Sequence, residues 1–258
     1  MILLTHSVSH NLIFELNGQD LTIATVTKNT EVVTLQYYPS IYKEKLTDIL
    51  NKLPEIYSKV NLIMSRKDFI TIPEEFFTTN LESLYGLSYD IPEGSKILID
   101  KSEQGFGVVY SVNPDLVEAI ENKFTRLTTQ HEISVILSRL YSEVSFKLPC
   151  IYLSINNGHL ILTAVNEGKL QLCNSFRAKT EDDIFYFVML TVEQLTFLPA
   201  ETELVILGEP IREKELKTLF KNYIREIRSW KDTYTLDLSI KNASILEQSF
   251  ALQSLICE

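Results

Sequence analysis

The side chains with the greatest chemical reach in this sequence stand apart from one another. His6 and His10 are four residues apart, but on an extended segment they do not converge as they would on a helix, and no Cys, Asp or Glu beside them completes a metal set. They read as an ordinary polar segment. His131 lies beside Glu132 early in a helical pattern, where a surface or capping role fits better than catalysis. Cys150, Cys173 and Cys257 are odd in number, widely spaced and never paired as C-x-x-C. They read as thiols of a reducing cytoplasm, not as a disulfide framework or a zinc site. Asp100, ahead of Lys101, Glu103 and Gly105-Phe106-Gly107, holds the position of a site carboxylate at a strand end and also that of a solvated turn. The solvated turn is the plainer expectation.

Phosphate chemistry would need glycines. There are eight in 258 residues, and only Gly105 and Gly107 are close together. That is about 3%, against ~7% in ordinary proteins. A loop that wraps phosphate with backbone N–H groups needs several within a few residues, and neither G-x-G-x-x-G nor G-x-x-x-x-G-K-[ST] occurs. Two Asn-Gly turns do occur, Asn17-Gly18 and Asn157-Gly158. His159 follows the second and is the one ionisable group of that hairpin, so it is a candidate ligand contact.

Charge is concentrated in one place. The chain carries 24 basic and 34 acidic side chains, a net charge of −10, which argues against general nucleic-acid binding. From Arg212 to Lys231, however, seven basic residues face three acids. Lys217, Lys221 and Arg225 recur every four positions, and on a continuous helix they would line one face near Tyr223 and Trp230. Such a face can grip a phosphate backbone or an acidic partner, although it is more often solvated surface. The longest apolar runs are a handful of residues, and Met1–Leu4 is followed at once by Thr5 and His6, so neither a signal peptide nor a membrane span is expected.

The elements that must position these residues are written as hydrophobic periods. Leu12–Leu16, Leu21–Val26 and Val32–Tyr37 alternate as a three-strand meander around Asn17-Gly18. A helix follows at Leu46, Ile49, Leu50 and Leu53, then a strand over Val60–Met64. Strands over Lys96–Asp100 and Gly107–Ser111 lead into a helix opened by Asn113-Pro114-Asp115. After a polar stretch, Thr125–Gln130, a wide stripe of Ile133, Ile136, Leu137, Leu140, Tyr141 and Val144 predicts a strong helix. Beyond Pro149 the opening pattern returns. Ile151–Ile155, Leu160–Val165 and Leu170–Cys173 form a second meander about 140 residues on, and Ile23 stands beside Leu162 once a one-residue gap is allowed. A helix from Thr180, apolar on nearly every face to Leu195, predicts burial between its sheet and a neighbouring domain. The strand Leu204–Leu207, a Gly208-Glu209-Pro210 turn and a charged helix complete the second half.

Two βββαβα halves, 1–147 and 148–258, resemble the duplicated ribonuclease-H-like fold of the actin, Hsp70 and sugar-kinase superfamily. The whole chain is similar to a family of uncharacterised bacterial proteins with that actin-like ATPase fold. The resemblance implies a mixed-sheet α/β protein and an interlobe cleft at Asn17, Gly18, Asn157, Gly158, His159 and Gly208, where actin-like ATPases hold nucleotide with magnesium. Those ATPases carry a pattern close to Asp-x-Gly in the first hairpin of each half. Here the first hairpin has only a shifted Glu15, there is no acid from Pro149 to Val165, and Glu209 stands where a second glycine would receive adenosine. Magnesium prefers carboxylate oxygens, and a carboxylate beside a triphosphate weakens its binding. The expectation is therefore a non-catalytic cytoplasmic protein with no cofactor or metal and no membrane insertion. It would bind a protein partner, with nucleic acid less favoured, through the cleft or through Lys217, Lys221 and Arg225. An ATPase holding Mg-ATP is the alternative.

Overall fold

The computed structural model describes residues 10–27, 29, 31–143, 148–156, 159–207, 213–230, 235–236 and 249–256. The first half opens with β1 (His10–Asn17), β2 (Asp20–Thr27) and β3 (Glu31–Tyr38), an antiparallel meander. Its first turn holds Gly18 at φ +62, a conformation L side chains rarely adopt. α1 (Lys43–Leu50) buries Leu46, Ile49 and Leu50 and returns the chain to β4 (Lys59–Ser65), parallel to β1.

An insert follows: β5 (Phe69–Pro73), a 3-10 turn (Glu74–Phe76), α2 (Leu81–Gly86), β6 (Lys96–Lys101) and β7 (Phe106–Val112). It forms a separate three-stranded sheet in the order β5-β7-β6, with a small core of Ile72, Tyr85 and Val109. Gly107 is required by close approach, since a Cβ there would lie 2.8 Å from the Phe77 ring and 2.9 Å from Ile99. The chain then re-enters the main sheet through α3 (Pro114–Lys123), β8 (Leu127–His131) and α4 (Glu132–Glu143).

The second half repeats the plan with β9 (Cys150–Asn156), β10 (His159–Asn166), β11 (Lys169–Arg177), α5 (Glu181–Gln194), β12 (Glu203–Leu207), α6 (Glu213–Phe220) and β13 (Glu226–Trp230). The core strand orders, β3-β2-β1-β4-β8 and β11-β10-β9-β12-β13, match, with the same two antiparallel and two parallel pairings. The duplication extends to an irregularity. Register shifts between Thr25 and Val26 in β2 and between Ala164 and Val165 in β10, equivalent positions once the hairpins are aligned with their one-residue gap.

The fifth strand of each sheet differs from the sequence reading. β8 begins within Thr125–Gln130 and ends at His131, and the basic run beyond α6 contains β13. Both are short strands that pair in parallel with a distant partner, and β8 and β13 end their sheets, where polar side chains meet solvent without cost. The C-terminal part also leaves the half to which 148–258 assigns it. β14 (Thr235–Leu236) extends the first sheet beside β3, and α7 (Phe250–Ile256) packs on α4 and β1. α7 is buried along its whole length because it and α4 lie between the two sheets, in an apolar cluster that joins Phe14, Leu16 and Ile136 to Tyr152, Val205 and Phe250. α5 departs in the opposite sense. It covers the outer face of the second sheet with Ile184, Val188, Thr191 and Val192 buried, while Tyr186 on its far side is 59% exposed. No neighbouring domain covers it among the described residues.

Candidate functional site

The two meanders face each other across the end of α4. Ser65, Arg66, Lys67 and Asp68 follow one another at the end of β4, and Asn17 stands beside Ser65 in the parallel register. His159 opens β10 opposite Arg177, and Lys67, Asp68 and Arg177 are within electrostatic reach of its ring. Partial burial first, then the Lys67 and Arg177 cations, hold the His159 imidazole below its ordinary range. His159 thus lies within electrostatic reach of the segment that follows β4, and Asn17 ends β1 beside Ser65 of that strand. Asn157, Gly158 and Gly208 lie outside the described residues, as do His6 and Cys257.

Glu15, the one acid of the first hairpin before its turn, is turned inward. It is 4% exposed, and its Oε1 accepts from Ser65 Oγ at 2.8 Å and Ser249 Oγ at 2.6 Å. Ser249 Oγ also accepts from Leu252 N at 3.1 Å, capping α7. Desolvation pushes the Glu15 carboxyl above its usual range, with the two hydroxyls opposing. Half-buried Glu132, the first residue of α4, feels both Glu15 and Lys67. Burial, and then the Glu15 charge, push it up to about 8, against the pull of Lys67. Desolvation in turn lowers the Lys67 ammonium.

A titration follows. The folded Glu132 holds a proton that the unfolded chain releases near 4.5, so its contribution to stability is complete below that pH and is lost as pH rises through about 8. Glu132→Gln should flatten the fall in melting temperature over this window and exceed the wild type at its upper end, by about 1–2 kcal/mol after allowance for solvent screening. Parallel melting curves for the two proteins would show that Glu132 titrates normally.

His131 is a cap, fully buried where the sequence placed it at the surface or in a cap. Its Nδ1 accepts from Ile133 N at 3.1 Å in the first turn of α4, so Nε2 carries the proton and donates to Arg66 O at 2.9 Å. The bond accepted at Nδ1 needs the neutral ring, and burial, outweighing the hydrogen bond to Arg66 O, lowers the pKa to about 3. Phe69 and Tyr110 flank it, with ring centroids at 5.1 and 4.9 Å. Asp100 is not a solvated turn. It is partly buried on β6 and accepts from His131 N at 2.6 Å, Ser134 Oγ at 2.6 Å and Tyr110 Oη at 2.9 Å. It therefore caps α4 from another sheet, at the edge of a concavity of about 350 Å³ shared with Gln130, Ser138 and Tyr141. The buried thiols of Cys150 and Cys173 are both pushed up to about 12 by desolvation, so neither is a nucleophile at neutral pH. Among the described residues no three His, Cys, Asp or Glu side chains converge as metal ligands.

The basic set is divided between elements. Lys217 is on α6 and pairs with Glu213 at 2.7 Å, whereas Lys221 lies in the following turn. Arg225, just before β13, pairs with Glu203 at 2.7 Å and with Glu226 at 3.7 Å, and Arg228 lies 3.9 Å from Glu203. They do not form one helical face because α6 ends at Phe220. Trp230 turns inward against Phe250, with centroids 5.9 Å apart.

No curated protein matches the chain significantly. Among solved structures, the chain is similar to a Bacteroides thetaiotaomicron protein with an actin-like ATPase fold and unknown function, with a TM-score of 0.80, 16% identity and full coverage of both chains. It is also similar to a chain of a PilM-PilN type IV pilus biogenesis complex, with a TM-score of 0.54, 13% identity, and 97% of this chain and 98% of that one covered. At these identities the likeness is one of fold, and the fold is that of an actin-like ATPase. No helix among the described residues is long and apolar enough to cross a membrane. A family model described as "Protein of unknown function (DUF3822)" matches residues 4–227, and the chain belongs to that family.

Proposed function

We propose that this protein is a non-catalytic member of the actin-like fold that works by binding another protein. The observation that carries this reading is the fate of Glu15, the one acid at the first hairpin's phosphate position. Its Oε1 is taken by Ser65 and Ser249, and its burial favours the neutral form. A carboxyl held so is a poor magnesium ligand, the second hairpin offers no acid from Pro149 to Val165, and Glu132 is held toward its neutral form. This placement of Glu15 and Glu132 and the acid-free second hairpin favour a site without Mg-ATP.

The similar PilM-PilN chain belongs to a complex of two proteins, which favours a protein partner here. Pairing of Lys217 and Arg225 with acids disfavours nucleic acid. The free buried thiols of Cys150 and Cys173 suit a reducing compartment, the cytoplasm.

Thermal-shift titration with ATP, ADP and Mg²⁺ tests the reading. A ligand at 100 times its dissociation constant would add about 2.7 kcal/mol, a rise of several degrees. The expected result is no shift at millimolar nucleotide. A magnesium-dependent rise would replace the reading with that of an ATPase.

A further inference from the structure

The face of α5 turned away from the second sheet is apolar where solvent calls for polarity. Helical geometry puts Asp182, Tyr186, Met189, Leu190 and Glu193 on one stripe, opposite the buried Ile184, Val188 and Thr191. Below the stripe runs a groove of about 480 Å³, lined by Phe185, Tyr186, Met189, Leu190, Phe197 and Pro199. Leu198 and Tyr223 are exposed beside it. The surface is held in shape before anything reaches it. Phe185 stacks on Phe220 at 5.4 Å and meets the edge of Tyr223 at 4.9 Å, and Tyr186 meets Phe187, itself stacked on Phe176 at 4.5 Å. A preformed apolar groove loses little side-chain entropy on binding, and contiguous exposed apolar surface marks interaction sites.

Each end of the stripe carries an exposed acid. Asp182 has Ala178 and Tyr186 four residues away, and Glu193 has Met189 and Phe197, so neither has a helical cation to pair with. Neither makes an ion pair among the described residues. At 1.5 Å per residue their backbones are about 16 Å apart.

The geometry points to α5 as the docking site of an amphipathic helical segment of a partner protein, its apolar stripe flanked by Lys or Arg about three turns apart. This rests on the partner-binding reading above and names its surface. Charge selects the occupant. A second copy laid antiparallel about a two-fold axis would set Asp182 against Glu193 twice, and both chains carry −10. An anionic lipid surface meets the same repulsion. Basic flanks instead find two unpaired carboxylates beside a hydrophobic groove.

The test uses the full chain and a fluorescent helical peptide of about 18 residues, a Leu stripe with Arg eleven positions apart, and a control with Glu at those positions. Anisotropy should show saturable binding of the Arg peptide, at least about tenfold tighter than the Glu peptide. Asp182→Lys with Glu193→Lys should invert that preference with the melting temperature unchanged, because both carboxylates are exposed. Tyr186→Ser, at a side chain 59% exposed, should abolish binding of either peptide alone or with Leu190→Ser, the half-buried Leu190 adding a modest loss of melting temperature only in the double variant. Absence of binding to wild type, or binding indifferent to all four substitutions, overturns the assignment. Concentration-dependent dimerisation lost in Tyr186→Ser would give the face to a second copy, and wild-type binding to anionic vesicles would give it to membrane; either also overturns it. Failure here with no nucleotide shift removes only this surface, whereas a magnesium-dependent shift removes the partner-binding reading itself.

Discussion

Glu15→Ala should lower stability by about 3 kcal/mol at pH 5, which for a chain of this size is several degrees of melting temperature. The substitution leaves the Ser65 and Ser249 hydroxyls buried without their acceptor, at about 1–3 kcal/mol each and not fully additive. Ser249 opens α7, so the loss should reach the C-terminal helix, and limited proteolysis should cut the variant near residue 249 before the rest of the chain. The deficit should narrow as pH rises. Glu15 is held above its ordinary value of 4.5, so the folded state keeps a proton there that the unfolded state gives up. The wild type then loses stability through this window and the alanine variant does not. Glu15→Gln keeps an acceptor and removes the ionisation, so it should cost less than alanine and gain on the wild type with pH. Equal damage by Gln and Ala would mean that the negative charge is itself required, as it would be for a cation site, and the proposed function would fall with it.

Asp100→Ala should cost about 3 kcal/mol as well, by a different route. Asp100 accepts three hydrogen bonds, one from a backbone N–H at the start of α4 and one from the fully buried Tyr110. Loss of a helix cap is worth about 1 kcal/mol and an orphaned buried hydroxyl about 2. Urea denaturation would read the total, and hydrogen exchange should show the His131 amide opening well ahead of the rest of α4. Asp100→Asn, which can still accept at His131 and Ser134, should recover most of the loss. A neutral Asp100→Ala, or unchanged exchange at His131, would show that the His131 ring alone caps the helix.

These two carboxylates show where sequence reading stopped. Glu15 was visible as the nearest acid to an Asn-Gly turn, but its capture depends on Ser249, 234 residues away. Asp100 looked like a turn residue because its partners at His131 and Ser134 lie beyond an intervening strand and helix. Lys217, Lys221 and Arg225 looked like one helical face because four-residue spacing is a local signal. What ends α6 and makes β13 is pairing with β12, which local spacing does not encode.

By itself the sequence determined the duplicated meanders, the helix that became α4, the class of the fold and the poverty of phosphate-binding glycines. Hydrophobic period and turn chemistry are local, act within a few residues and recur in both halves. The tertiary structure alone decided the two edge strands, the return of the C-terminal helix between the sheets, the inward use of Glu15, Asp100 and His131, and the exposure of the outer face of α5. Each of these rests on a hydrogen bond or a packing surface supplied from far along the chain. The same apolar stripe or carboxylate is core, cap or docking surface according to which distant element the topology lays against it.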